Sequence, residues 1–418
     1  MLEDVWYFGG HRHNVHLTAT GIKYWKVRGG RRNFVPFKEI LGVPVPTQTY
    51  FHILCVTPKN QTGQRKTYTL SFETYQKPTS PSHWATLLRK LLAKLRPPLK
   101  KLLFYVNPYS GQKAALEVWE AAKDLLHVAE VAYEVVFTER AGHAQAHVQG
   151  VRAGEYGGCV CVSGDGLLFE VVNGIMARPD YCEVLAGLPL GIVPAGSGNG
   201  LAASLLAPDV VTATYAIICG EWHPLDAYSV IQNDQRRFGF LSISWATMSV
   251  IDLESDSYRW LGPLRFDLKG VSELLTCNAY KGIISYIPAP EETTPTLHQL
   301  LPEDPKALPP LRYIGRPDLP WKVVKGEWSF FCAALTPRVS VSPGAFAEKA
   351  HISDGTIDLI FAPSVGRLDL AAILTSIEDG TIAKCPKVNY VKVVAFKLEP
   401  CPDIKNKNVA PISLDGEH

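Results

Sequence analysis

The sequence predicts an α/β fold built on a parallel, Rossmann-like sheet, followed by a β-rich segment and preceded by an antiparallel β domain. Three observations carry this. Between residues 99 and 207, short apolar strands alternate with amphipathic helices. Two of those units turn on glycine: residues 159–174 read CVCVSGDGLLFEVVNG and residues 188–201 read LPLGIVPAGSGNGL. On either side the helical period gives way to alternating apolar and polar residues rich in Thr, Tyr and Val.

With 418 residues, 46% hydrophobic and 20% charged, the chain is long and apolar enough for two or three folded cores. A formal net charge of +2 argues against a nucleic-acid partner and against whole-molecule attraction to a membrane. The opening MLEDVWYFGGHRH lacks the pattern of a secretory signal, and no apolar run is long enough to span a bilayer. Nine cysteines without CxxC pairs suit reduced thiols in a cytosolic protein and speak against a metal site. Any meeting with lipid is therefore expected to be peripheral and reversible.

Residues 1–96 form the first expected domain. Segments such as VHLTATGIKYWKV, YFHILCVT and KTYTLSFETY alternate as half-buried antiparallel strands do. A helix follows in SHWATLLRKLLAKL, where Trp84, Leu87, Leu88, Leu91, Leu92 and Leu95 share a face. Ser82 is the expected N-cap, and Pro97-Pro98 the expected stop. Lys23, Lys26, Arg28, Arg31 and Arg32 suit docking to a lipid or a partner, but charge runs are usually solvated faces, and that plainer reading is preferred.

From Leu99 the strands LLFYVNP, VAYEVVFTER, CVCVS and LGIVP each lead into a helix. Asn107, Thr138, Asp165 and Gly196 then fall at or near strand C-terminal ends, where open α/β sheets bind ligands. Asp165 is read as a general base or as a residue acting near a metal ion, since a carboxylate repels phosphate. The simpler alternative is a helix N-cap followed by glycine. Neither glycine turn is a Walker A loop or a dinucleotide fingerprint, although their N–H groups and helix N-termini suit an anion.

The strings VSGDGLLFEVVNGIMARPD and VPAGSGNGLAASL resemble the catalytic core of the diacylglycerol kinase-like lipid kinases, and among these the sphingosine kinases. The resemblance extends from about Leu102 to the end of the chain and implies ATP and Mg²⁺ as cofactors. It implies nucleotide contacts at Asn107, Pro108 and Tyr109, and at Thr138, Glu139, Arg140, Ala141 and Gly142. Ser163, Glu170, Gly196, Ser197 and Gly198 match further nucleotide positions, while Ser163, Gly164, Asp165 and Gly166 match the substrate loop. Basic residues common after the first turn of the family are replaced here by Gln112, Lys113 and Ala114, with Lys113 as the remaining cation. The first domain resembles a pleckstrin-homology domain in architecture.

Residues 208–418 are expected to form an antiparallel sandwich that binds the lipid, interrupted by a proline-rich insertion at about 287–321. In IDLESDSYRWLGPLRFDL the resemblance places Asp252 at the substrate's polar head and Arg259 and Arg265 at the ATP phosphates. Leu268, Val271 and Leu274 share a helix face that could line a lipid tunnel, meet a membrane or be core. Asp354-Gly355 reads as a turn. Asp415, Gly416 and Glu417 match a last nucleotide motif, past which relatives usually run on, so the final strand is expected to be absent.

The implied reaction is transfer of the γ-phosphoryl of ATP to the primary hydroxyl of sphingosine or a related long-chain base, with Asp165 taking the proton. A kinase for diacylglycerol or ceramide is the alternative enzyme, and Asp252 argues against it because neither lipid carries an amine for an acid to pair with. A catalytically silent lipid-sensing scaffold is the alternative outside enzymes. The oligomeric state is left open by the sequence.

Overall fold

The computed structural model describes residues 2–59, 63–74, 80–96, 99–254, 264–290, 308–340, 345–401 and 410–417. The first seven strands are β1 (Leu2–Phe8), β2 (His11–Leu17), β3 (Gly21–Lys26), β4 (Asn33–Pro36), β5 (Ile40–Gly42), β6 (Tyr50–Pro58) and β7 (Arg65–Thr74). They form one antiparallel sheet in the order β4-β3-β2-β1-β7-β6-β5. Its inner face packs on α1 (Pro81–Leu95), whose Trp84 ring stands edge-on to Trp6 at 6.0 Å and stacks on Phe51 at 5.6 Å. The Trp84 indole N–H donates to Asp4 Oδ2 at 3.1 Å, which satisfies the one polar atom this burial would strand.

The helix starts differently from the sequence expectation. Ser80, not Ser82, is the N-cap, accepting from the His83 N–H at 3.3 Å. Pro81 takes the first helical position, where its missing N–H is harmless, so the cap falls to the residue before it. The helix ends at Leu95 with Arg96 as C-cap, ahead of Pro97-Pro98, which lie outside the described residues. Trp84, Leu88 and Leu92 are buried as expected, whereas Leu95 is exposed.

The central sheet contains β8 (Leu102–Val106), β9 (Tyr133–Phe137), β10 (Cys159–Ser163) and β11 (Leu190–Pro194). All its pairings are parallel, in the order β11-β10-β8-β9. β8 and β10 are buried along their whole length, which explains their unbroken apolar runs. The helices are α2 (Ala115–Val128), α3 (His143–Val148), α4 (Asp165–Met176), α5 (Tyr181–Gly187), α6 (Gly200–Ser204) and α7 (Val210–Cys219). The direction of winding reverses between β8 and β10, so the crevice for a ligand opens where Asn107 and Asp165 stand.

The N-terminal sheet is joined closely to this layer. Leu41 and Val56 share a core with Phe104 and Trp119, and Arg65 N–H donates to Thr212 Oγ1 on α7 at 2.9 Å. Gly42 lies so near the end of α2 that a Cβ there would overlap the Val128 carbonyl.

The last part begins with the hairpin β12 (Tyr228–Gln232) and β13 (Gln235–Gly239), then β14 (Ser242–Ala246), α8 (Thr247–Glu254) and α9 (Leu264–Thr276). It continues through β15 (Tyr280–Pro288), β16 (Lys322–Ala334), β17 (Ile357–Pro363), α10 (Arg367–Glu378), β18 (Asn389–Pro400) and β19 (Ser413–Leu414). Six of these strands form one antiparallel sheet, β15-β18-β17-β16-β14-β19, in which β15 also pairs with β16. The expected two-layer sandwich is thus a single sheet curled on itself. The cause is β16, whose first half pairs with β15 and whose second half pairs with β17 and β14, with a register shift between Trp328 and Phe330.

The proline-rich stretch falls between β15 and β16, with residues 291–307 outside those described. Asp354 shapes a turn as expected, accepting from Thr356 N–H at 3.0 Å and pairing with Lys392 at 2.8 Å. All nine cysteines are free, and no described helix is long and apolar enough to cross a membrane.

Replacing Trp84 by Ala removes the wedge between α1 and the first sheet. The expected loss is about 3–5 kcal/mol, read as a lower urea midpoint by circular dichroism.

Candidate active site

Three loops leave the C-terminal ends of β8, β10 and β11 and meet at glycine. A Cβ on Gly111 would overlap the Ala195 carbonyl, and one on Gly196 would overlap the Gly164 backbone. Gly111 also has φ +57°, so both its space and its conformation exclude a larger residue. The loops are tied by polar contacts. Gly164 N–H donates to Ser110 Oγ at 3.3 Å, Ala195 N–H to Ser163 O at 2.9 Å and Asn107 N–H to Val162 O at 3.3 Å. Asn107 Oδ1 accepts from Tyr109 N–H at 3.0 Å, which folds the first loop and leaves the Tyr109 ring exposed.

Asp165 is the first residue of α4, and it does not cap its own helix. Its carboxylate accepts from Gly200 N–H at 2.7 Å and Leu201 N–H at 3.2 Å, the first donors of α6. One buried carboxylate therefore binds the two glycine turns together and satisfies N–H groups that would otherwise be orphans. Burial pushes the Asp165 carboxyl from 3.8 up to about 6, and those two N–H groups oppose the rise. Because this value is raised, the group's contribution to stability is present at low pH and lost as pH rises through about 6. The ionised form needed of a base prevails above that.

The second glycine turn is held by a residue the sequence reading did not assign. Asn199 has φ +56°, and its amide accepts from Gly196 N–H at 2.9 Å and donates to Gly196 O. Asparagine is the side chain that tolerates this left-handed backbone and can both donate and accept, which was the available signal. One expectation changes as a result. The N–H groups of Gly196, Gly200 and Leu201 are engaged inside the protein, so the turn offers an anion fewer donors than its glycines suggest.

The end of the chain closes the other side. β19 pairs with β14, and Ser413 Oγ donates to Asp252 Oδ2 at 2.8 Å. A Cβ on Gly416 would lie 3.9 Å from both Asp252 carboxylate oxygens. The Glu417 carboxylate occupies the space over Gly166, the residue after Asp165. Asp165, Asp252 and Glu417 are thus brought together from three distant segments.

Asp415, which the resemblance places at the nucleotide, has its side chain engaged within the protein. Its buried carboxylate accepts from the N–H groups of Phe240, Leu241 and Ser242 at 2.8–2.9 Å and from the Tyr228 hydroxyl at 2.9 Å. Burial raises it to about 6 as well. With its acceptor sites taken, this side chain fixes the terminal segment.

Glu170 lies one helical turn beyond Gly166, and its buried Oε2 has no hydrogen-bond partner. A cleft of about 590 Å³ runs past Gly166, Glu170, Asn173, Arg236, Arg237 and Glu417. Asn173 ties α4 to β13 through Phe238 N–H at 3.0 Å and Phe238 O at 2.8 Å, so the cleft spans both parts of the molecule.

Other expected residues fall less centrally. Thr138 is buried and donates through both N–H and hydroxyl to Val106 O, while Glu139, Arg140 and Ala141 are exposed above the edge strand β9. Gly142, with φ +73°, precedes α3. Pro108 sits in the first loop, and Ser197 and Gly198 in the second glycine turn, where Gly198 lies beside the Val339 carbonyl. Lys113 is exposed. Arg259 and the side chain of Arg265 lie outside the described residues. Of the expected apolar face of α9, Leu268 and Val271 are exposed and Leu274 is half-buried, while the neighbouring Leu275 is exposed as well.

Comparison with known proteins identifies the family. The diacylglycerol kinase catalytic domain model matches residues 101–230. Sphingosine kinase 1 of Arabidopsis thaliana is 35% identical over 348 residues, covering 80% of this chain and 71% of that protein. Sphingosine kinase 2 of the same plant is 31% identical, covering 96% of this chain and 86% of its own. In fold, the chain is similar to a crystal structure assigned as a diacylglycerol kinase from Bacillus anthracis str. Sterne, with a TM-score of 0.51 at 18% identity over 77% of this chain and 90% of that one. With the glycine-locked carboxylate already in place, identity of this extent makes the chain a member of the sphingosine kinase family.

Proposed function

We propose that this ATP-dependent sphingoid-base kinase uses Asp165 as the general base and Asp252 as the acceptor of the lipid's ammonium group. The observation that carries the reading is the buried Asp165 carboxylate, held on two N–H groups at the strand-order reversal and raised to about 6. As the primary hydroxyl attacks, its proton passes to Asp165 and its oxygen bonds to the γ-phosphorus. The bond from that phosphorus to the β,γ-bridging oxygen breaks, and ADP leaves with the electron pair. The lipid oxygen and the leaving oxygen must lie in line, which favours rigid loops, and the interleaved glycines supply that rigidity.

The donor set fits Mg²⁺. Mg²⁺ takes few protein ligands and keeps water and phosphate oxygens around it, so one or two carboxylates beside the nucleotide suffice. Glu417 and the unpartnered oxygen of Glu170 are the carboxylates that would hold it. When bound, the ion would neutralise phosphate charge beside these acids.

The N-terminal sheet with its closing helix is read as pleckstrin-homology-like, and the curled sheet as the lipid-binding part. Peripheral membrane contact is supported by Leu268, Val271 and Leu275, which are exposed at 55%, 56% and 66% along one face of α9. Neither diacylglycerol nor ceramide carries an amine with which Asp252 could pair.

Labelled ATP with Mg²⁺ tests the assignment on sphingosine, ceramide and diacylglycerol in mixed micelles. Sphingosine is the expected product-former, and Asp165→Asn should lower kcat by about 10²–10⁴-fold without unfolding the chain. The wild-type kcat/KM is expected to fall tenfold per pH unit below about 6, where an ordinary carboxylate would hold its activity to near pH 4. For Asp252→Asn, sphingosine kcat/KM should drop about 10- to 150-fold, the worth of a charged hydrogen bond. Preferential labelling of ceramide or diacylglycerol would remove the role given to Asp252.

A further inference from the structure

Positive charge is concentrated at one end of this chain. Residues 5–38 contain seven Lys or Arg (Arg12, Lys23, Lys26, Arg28, Arg31, Arg32 and Lys38) and no Asp or Glu. That stretch therefore carries +7, against +2 for the whole molecule, and the remainder is −5. The fold gathers most of this charge on the β3–β4 hairpin, at the edge of the first sheet. Lys23, Lys26, Arg28, Arg31 and Arg32 are all exposed, and none forms an ion pair with another described residue.

Two of these cations stand against rings instead of acids. Lys23 Nζ lies 5.9 Å from the centre of the Phe34 ring, and the Arg32 guanidinium 5.1 Å from that of Trp25. Phe34 is 47% exposed, and Val27 in the connecting loop is 41% exposed. The acid that does approach this face is Glu3, which is paired with His16 at 2.8 Å. The arrangement differs from an ordinary solvated face, where charges of both signs are interspersed.

We propose that the β3–β4 hairpin docks the kinase on the surface of a bilayer that contains anionic phospholipid. Cations on flexible stems beside half-exposed aromatic rings match the interfacial zone, where phosphates accept from Lys and Arg and rings settle among the headgroups. The uneven charge also orients the molecule. A negative surface attracts the hairpin and repels the remainder, so approach is expected through this end even though the net charge is small. A bilayer is favoured over a nucleic acid or an acidic protein because the sphingoid base itself arrives in a membrane. The inference rests on the lipid-kinase reading in that respect, and it adds a second contact beyond α9.

The test uses the full chain with vesicles of phosphatidylcholine alone or mixed with phosphatidylserine. Wild-type protein is expected to partition onto the mixed vesicles only, and less so as salt is raised. Arg28→Gln with Arg31→Gln should weaken that partition by roughly 25-fold, about fivefold for each cation. Arg28→Lys with Arg31→Lys should retain it. Both pairs should phosphorylate sphingosine in detergent micelles at the wild-type rate, which shows that the chain is folded. The inference is overturned if the Gln pair binds mixed vesicles like wild type. It is overturned equally if wild type does not distinguish the two vesicles, or if the pair loses binding to a polyanionic RNA or peptide and not to vesicles. A wild-type chain inactive in micelles would instead overturn the kinase reading, so the two failures are distinguishable.

Discussion

The site depends on one charge buried against two N–H groups. The Asp165 carboxylate accepts from Gly200 and Leu201, so the helix that follows β10 and the short helix that follows β11 are fastened to each other at their first residues. Alone, α6 is only five residues long and could not hold its own N-terminus in place. The bond matters equally for Asp165, because it fixes the orientation of both carboxylate oxygens. The fold therefore keeps a charge where burial disfavours it, and that same burial brings its basicity closer to neutral pH. Stability and chemistry pull in opposite directions at this residue.

Around that bond, the packing allows almost no side chains. Gly111, Gly164 and Gly196 belong to three different loops whose backbones interleave, and Asn199 clamps the last of them from both sides. Backbone-to-backbone contact leaves little freedom, so the loops form a stiff floor to the crevice. The upper wall is assembled from the far end of the chain. Asp415 anchors residues 240–242, Ser413 reaches Asp252, and Glu417 comes to rest over Gly166. Asn173 adds a link between α4 and β13. Asp165 on the central sheet and Asp252 on α8 thus have a fixed relation, although they are 87 residues apart in the sequence.

The N-terminal sheet stands in a different relation to the chemistry. Gly42, Arg65 and Leu41 bind its far edge to α2 and α7, while its opposite edge carries the uncompensated cations of the β3–β4 hairpin. A rigid junction on one side and a charged, aromatic surface on the other would transmit the orientation of docking to the crevice without any moving part.

What the sequence by itself determined is the local grammar. Unbroken apolar runs identified β8 and β10, glycine clusters marked the turns, and the alternation placed Asn107, Thr138, Asp165 and Gly196 beyond strand ends. These features are legible because each follows from the backbone preference or burial of neighbouring residues. Ser80 displaced Ser82 as a cap for a reason equally local, the proline between them, and β16 joined both halves of its sheet because one long strand can bend. Only the tertiary structure decided which partner each polar atom meets. Asp165 caps α6 instead of α4, Asp415 is enclosed by N–H groups of residues 240–242, and Glu417 reaches Gly166. Those outcomes turn on contacts between residues 35 to 251 positions apart in the sequence. A carboxylate's pattern in sequence is the same whether water, a ligand or a distant backbone satisfies it, and the packing of the whole chain selects among them.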